Sequence, residues 1–205
     1  MILAAKHLVT GDGSTCLADA AVRFEEGGAL DAVGGAEEVK RRYPGDEVHD
    51  FGEATILPGL MDSHVHVESS LLTPAEYARL VVSHGTTTVI ADPHEIANVA
   101  GVPGIKYMLE ARANAAIDIL YMLPSCVPAT PADVGGAVLD AGDLRRFLGM
   151  PGVLGLGEMM NVPGVLAADP TIGEKLALIT VRDGHAPGLT GPDLNAYLLA
   201  GLQSD

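Results

Sequence analysis

The sequence predicts an α/β chain, a β-rich opening followed by a parallel sheet of the (β/α)8 barrel kind. Three observations carry this expectation. From residue 58 onward, apolar strand-like runs alternate with helix-like segments, the pattern of βαβ units. Of the 205 residues 48% are hydrophobic but only 4% aromatic, so the core falls to Ala, Val, Leu and Ile, as in buried parallel strands. Polar residues with chemical capacity end five successive strand-like runs, and that is the edge on which barrels build their sites. No G-x-G-x-x-G follows the first of these strands, which weakens an open dinucleotide-binding sheet.

The elements follow in order. Residues 3–9 read as a strand, with Gly11-Asp12-Gly13 as a turn. Residues 20–24 and 29–33 read as strands around Glu25-Glu26-Gly27-Gly28, a hairpin-like break. Residues 37–42 fit a short helix and 47–51 a short strand. The first barrel-type strand is 59–66, with Pro58 before it, where proline is tolerated. A helix then starts at Thr73 as N-cap, with Pro74 at the first helical position, Glu76 completing a capping box and Gly85 as the stop. The β-branched run 86–92 is the second strand. A helix at 105–112 and a third strand at 117–123 follow. Asp140 and Asp143 open a helix reaching Leu148. The fourth strand is 153–158, Asp169-Pro170 opens another helix, and the fifth strand ends near His185. Residues 190–200 form a last helix stopped by Gly201, and 202–204 begin a sixth strand.

Composition narrows the function. There are 12 Lys and Arg against 27 Asp and Glu, a net charge of -15. Phosphate neutralisation needs basic residues, so neither nucleic acid nor an anionic membrane is an expected partner. Two cysteines, Cys16 and Cys126, are too few for a disulfide framework and fit free thiols. The first residues lack a basic segment followed by an apolar one, and no apolar run approaches the ~18 residues of a membrane span. A cytoplasmic location is expected.

The chemistry concentrates at the strand ends. These are Asp62-Ser63-His64-Val65-His66, Asp92-Pro93-His94-Glu95, Pro124-Ser125-Cys126, Gly157-Glu158 and Gly184-His185. On a strand, residues two apart share a face, so His64 and His66 can reach one ion. Neutral imidazole suits Zn, Fe, Mn and similar metals. With Glu158 and His185 the set offers nitrogen and oxygen ligands for one or two cations, and a carboxylate at Glu158 can bridge two. A metal lowers the pKa of water enough to give a nucleophile at neutral pH. His94 is a substrate or outer-sphere candidate, with Asp92 and Glu95 beside it. Cys126 reads as a small buried thiol. His66-Val67-Glu68 matches the H-x-E of zinc nucleobase deaminases, but no P-C-x-x-C completes that site.

The sequence resembles the amidohydrolase superfamily and, within it, the bacterial adenine deaminase family. The carrying strings are Pro58-Gly59-Leu60-Met61-Asp62-Ser63-His64-Val65-His66, Ala91-Asp92-Pro93-His94-Glu95-Ile96-Ala97-Asn98, Pro124-Ser125-Cys126-Val127-Pro128-Ala129-Thr130, Gly155-Leu156-Gly157-Glu158-Met159-Met160-Asn161 and Asp183-Gly184-His185-Ala186-Pro187-Gly188. The resemblance implies a partial (β/α)8 TIM-type barrel over 58–205, with an N-terminal piece of a small β-sandwich domain over 1–57. It implies a binuclear divalent-metal site, Mn or Fe with Zn as a further option. His64 and His66 would hold one ion, His185 the second, and Glu158 would bridge them as the catalytic carboxylate. Asp92, His94, Glu95 and Ser125 would bind substrate or support the ligands. The implied reaction is hydrolytic deamination of adenine to hypoxanthine and ammonia, with a small-molecule purine as partner and a homo-oligomeric full-length enzyme. In the family a further metal histidine directly follows the Ser-Asp matching Ser204-Asp205, and a catalytic aspartate comes later. The chain is therefore expected to be an N-terminal portion that needs a C-terminal half. The family's helix and strand between Asp169 and His185 are longer, so this segment barely holds both. The alternatives are another cyclic amide or amidine amidohydrolase, or an inactive truncated fragment.

Overall fold

The structure is a computed structural model that describes residues 1–25, 27–130 and 132–203. The chain divides into two compact units, Met1–Gly59 and Leu60–Asp205. The first is one five-stranded sheet of β1 (Ile2–Val9), β2 (Cys16–Phe24), β3 (Leu30–Gly35), β4 (Val48–Asp50) and β5 (Thr55–Ile56). The strands β3-β2-β1 run antiparallel, while β4 and β5 pair with β1 in parallel. The Asp12 carboxylate closes the first turn by accepting the Ser14 and Thr15 N–H groups at 2.9 and 2.7 Å. Strand neighbours point to opposite faces, and here both faces are apolar. Ala21 packs with Ile2, Ala4 and Val39 of helix α1 (Ala36–Arg42), whereas Ala20 and Val22 pack with Leu8.

The second unit alternates strand and helix. Its strands are β6 (Leu60–Val65), β7 (Thr86–Ala91), β8 (Asp118–Leu123), β9 (Val153–Met159) and β10 (Arg182–Gly184). Between and after them lie α2 (Pro74–Val82), α3 (His94–Ala100), α4 (Val102–Ala111), α5 (Ala141–Arg145), α6 (Val162–Leu166), α7 (Pro170–Leu176) and α8 (Gly191–Leu199). The sheet order is β10-β9-β8-β7-β6, with every pair parallel. An open doubly wound sheet reverses its strand order at a switch point. Among the described residues no reversal occurs, and the sheet is a curled half-barrel. Its core interleaves Val89, Ile119, Leu123 and Leu156 from strands with Ile105, Met108, Leu144 and Tyr197 from helices.

Several local expectations are corrected. The helix expected over 105–112 is α4, which starts earlier, at Val102 with Pro103 in its first turn; an unexpected helix, α3, precedes it, separated by Gly101 at φ +61°. The capping box at Thr73 is half made. Its side chain accepts the Glu76 N–H at 3.4 Å, while the Glu76 carboxylate turns to Arg79 at 3.9 Å. Asp140 and Asp143 do form a reciprocal capping box, but α5 gives way to turns after Arg145, short of Leu148. Gly85 takes φ +92° beyond the end of α2 and passes the chain into β7. The compressed segment before His185 does hold both elements, a seven-residue α7 and a three-residue β10. Leu202 and Gln203 lie outside any strand, although the Gln203 N–H donates to the Arg182 C=O at 3.1 Å. Glu26 of the expected hairpin break and Ser204 of the expected sixth strand fall outside the described residues. Among the described residues, no helix is long and apolar enough to cross a membrane.

Candidate metal centre

The parallel sheet sets the C-terminal ends of β6, β9 and β10 side by side along one edge. His64 lies near the end of β6, His66 directly after it, Glu158 near the end of β9, and His185 directly after β10. Four residues scattered through the sequence are thereby gathered. Glu158 Oε1 lies 2.6 Å from His64 Nε2 and 3.0 Å from His66 Nε2, and its Oε2 lies 3.1 Å from His185 Nδ1. The two Nε2 atoms are 3.3 Å apart. A cleft of about 520 Å³ opens here, lined by Ser63, His64, His66, Glu158, Asp183, Gly184 and His185.

The other ring nitrogens explain this orientation. His66 Nδ1 is 2.8 Å from the Asp92 C=O, which can only accept, so Nδ1 carries a hydrogen. His64 Nδ1 faces the Asp183 carboxylate at 3.2 Å. Both imidazoles thus have Nδ1 held by oxygen and Nε2 turned to one point. Metal-ligating histidines are held in this way, with the outer partner fixing the tautomer. His64, His66 and Glu158 form a group whose ligand atoms lie within 4.8 Å of one another, and Asp92, His94 and Glu158 form a second. The donor set, imidazole nitrogens with a shared carboxylate, fits a divalent cation.

Glu158 is held by its main chain. Its N–H donates to Asp92 Oδ2 at 2.8 Å, and its C=O accepts from Ser125 Oγ at 2.6 Å. Asp92 and Ser125 are each 1% exposed. Both therefore hold the Glu158 main chain rather than line this cleft. A Cβ on Gly157 would stand 2.2 Å from Asp92 Oδ2, so the sequence Gly157-Glu158 is what lets this carboxylate approach. Gly157→Ala is expected to destabilise the chain by about 1–3 kcal/mol, as overpacking does. The shift in the midpoint of urea unfolding measures it.

His94 opens α3. Its Nδ1 is 3.5 Å from Asp92 Oδ2, and its ring centroid is 4.5 Å from that of His66. A second cleft, about 460 Å³, is lined by His94, Glu95, Asn98, Cys126 and Met160 among others. Glu95 is exposed and accepts from Ser69 Oγ at 2.8 Å. Glu68 of the rejected H-x-E match caps α3 instead, accepting the Ile96 N–H at 3.2 Å. Cys126 is buried and its thiol meets Met159 Sδ at 3.5 Å. Asp183 is the site residue the sequence reading missed. Its spacing from His185 repeats that of His64 and His66, and this was the available signal.

The electrostatics are those of a cation site. Burial alone would raise the Glu158 pKa, but the hydrogen bond to His66 and the charges of His64, His94 and His66 bring it down to about 2. The bond to Glu158 lifts His66 to about 9 against the opposing effect of burial. Without a metal, His66 contributes stability fully below its ordinary 6.5 and loses it as pH rises through about 9. Glu158 contributes above its ordinary 4.5 and loses it as pH falls through about 2. At neutral pH a divalent ion must displace the His66 proton. Metal affinity is expected to weaken by about tenfold for each pH unit below the His66 pKa, with release of about one proton per ion. Calorimetry in buffers of different ionisation enthalpy measures both.

The C-terminal edge of this half-barrel turns two histidines and a shared carboxylate to one point, an arrangement that fits a divalent cation. The chain belongs to the amidohydrolase family, whose model matches residues 55–189. Among curated proteins it is 70% identical over 165 residues to an adenine deaminase of Methanoregula boonei, covering 80% of this chain and 30% of that protein. It is 65% identical over 163 residues to the adenine deaminase of Methanoculleus marisnigri, covering 80% and 32%. The chain thus spans about a third of the length of these relatives. Among solved structures, N-acetyl-D-glucosamine-6-phosphate deacetylase from Mycobacterium smegmatis superposes with a TM-score of 0.64 at 21% identity, over 98% of this chain and 58% of that one. E. coli guanine deaminase gives 0.60 at 14% identity, over 98% and 60%. At these identities the two structures share the fold.

Proposed function

We propose that the chain carries the greater part of a two-ion centre for the hydrolytic deamination of adenine to hypoxanthine and ammonia. The carrying observation is the division of Glu158, with Oε1 toward His64 and His66 and Oε2 toward His185. A carboxylate with imidazoles at both oxygens is placed to bridge two cations. His64 and His66 would hold one ion and His185 the other, with Mn or Fe as the expected metals and Zn as an option. Bound divalent ions would supply Lewis acidity and an activated water.

The chain's own groups have definite parts. Asp183 and the Asp92 C=O hold the Nδ1 side of His64 and His66, so that each Nε2 turns toward Glu158 and the cleft. Glu158, ionised down to a pH of about 2, acts as a ligand and a hydrogen-bond acceptor rather than an acid. His94 and Glu95 offer polar contacts to the purine ring from the neighbouring cleft. Water adds across the C6–N1 bond of adenine, its oxygen on C6 and one proton on N1; the C6–N6 bond then breaks, the oxygen becomes the C6 carbonyl of hypoxanthine, and the amino group leaves as ammonia with the other proton of water. The 1–57 sheet as a sandwich piece, the 58–205 half-barrel, a cytoplasmic location and a homo-oligomer belong to the same proposal.

The high identity to the Methanoregula boonei protein supports adenine over other cyclic amidines. The test joins this chain to the remaining C-terminal portion of that relative and supplies Mn(II). Adenine-dependent ammonia release, with hypoxanthine as product, is the expected result. A joined, folded, metal-loaded protein that opens a lactam ring and leaves adenine intact would overturn the proposal.

A further inference from the structure

We propose, resting on the two-ion proposal above, that Lys175 is a positioning residue for Glu158, acting through Ser125. Lys175 lies on α7, on the outer layer of the unit, and is 9% exposed. Its Nζ donates to the Ser125 C=O at 2.8 Å, and Ser125 Oγ donates to the Glu158 C=O at 2.6 Å. A cation, a peptide and a hydroxyl thus run in series from the helix to the strand that carries the shared carboxylate.

Each link has a physical reason. An N⁺–H···O=C bond is charge-assisted and fixes the plane of the Ser125 peptide. That plane sets where the Ser125 side chain begins. With Ser125 buried, its hydroxyl reaches the Glu158 main chain and does not face the cleft. A ligand must be held to within about 0.5 Å of its working geometry, so a main-chain anchor on the bridging residue matters.

A lysine kept only for packing is the competing explanation. Burial pushes the Lys175 pKa below its ordinary value, against the charges of Asp140 and Asp143. The fold bears a desolvation cost here that methionine, of similar length, would avoid. Lys175 also lines a cleft of about 490 Å³ with Cys126, Leu139 and Thr171, where water could replace a shortened side chain. The test therefore uses Lys175→Met rather than alanine.

The probe is Co(II), read by its visible d–d absorption and by competition with a chelator. Lys175→Met is expected to weaken Co(II) binding roughly tenfold, the lower end of what outer-sphere partners contribute, and to change the d–d band shape. Lys175→Arg should restore most of both. Ser125→Ala should behave like Lys175→Met, and the double variant should be no weaker than the weaker single, since both cut one chain of contacts. If circular dichroism shows Lys175→Met unfolded, Lys175→Gln replaces it, a neutral donor expected to give a smaller loss of the same kind. Folded Met or Gln variants with wild-type affinity and spectrum would overturn the proposal, as would additive losses in the double variant. A wild-type chain that binds no Co(II) would overturn the two-ion proposal, and this one with it.

Discussion

Glu158→Gln is expected to weaken divalent-metal binding by more than 100-fold, beyond the 10–100-fold that outer-sphere residues contribute. Glutamine keeps the size of the side chain but gives up the charge on which the centre depends. Its amide turns an N–H, a donor, toward either His64 and His66 or His185, where both carboxylate oxygens now face imidazole nitrogens. The His66 pKa should also fall from about 9 toward its ordinary 6.5, because the bond to Glu158 is its main cause. NMR titration of the imidazole protons in the metal-free variant measures that fall, and equilibrium dialysis measures the metal. A variant that binds Mn(II) as the wild type does would show that Glu158 is no ligand.

Asp92→Ala is expected to be the second largest effect, with 10–100-fold weaker metal binding and a loss of stability together. The stability loss is about 1–3 kcal/mol, since the Glu158 N–H is left buried without its acceptor. The C=O that holds His66 belongs to the main chain and survives the substitution. The damage should therefore show at Glu158 first and leave the His66 tautomer in place. Urea unfolding gives the stability and dialysis gives the affinity. Gly157→Ala disturbs the same contact from the other side. The two changes touch one carboxylate, so their effects should not add.

Much of the site was legible from the chain because strand geometry makes it so. A period of two puts His64 and His66 on one face, and parallel strands bring Glu158 and His185 to the same edge. Asp183 was missed because an aspartate inside a three-residue strand looks like ordinary exit chemistry, although it sits two residues from His185. Asp92 and Ser125 could be nominated but not given a role from sequence. What each does depends on which main-chain atoms of Glu158 it meets across the sheet. Helices α3 and α6 escaped because each is short and follows directly on a site strand. Even so, Asn161 before Pro163 was a usable start signal, and its side chain accepts the Gly164 N–H at 3.0 Å. The Thr73 box failed by a competition that sequence does not decide, a backbone N–H against the Arg79 guanidinium for one carboxylate.

The gathering of ligands from β6, β9 and β10 ties the centre to the folding of the sheet. His64, Glu158 and His185 are far apart in the chain and come within a few ångströms only when these strands stand in register. An unfolded chain would hold such an ion poorly, so binding must draw the folding equilibrium toward the native sheet. Free metal at 100 times its dissociation constant adds about 2.7 kcal/mol to stability by mass action. The melting temperature of this chain should therefore rise with metal and fall with a chelator. That makes heat denaturation a measure of occupancy that requires no substrate and no turnover.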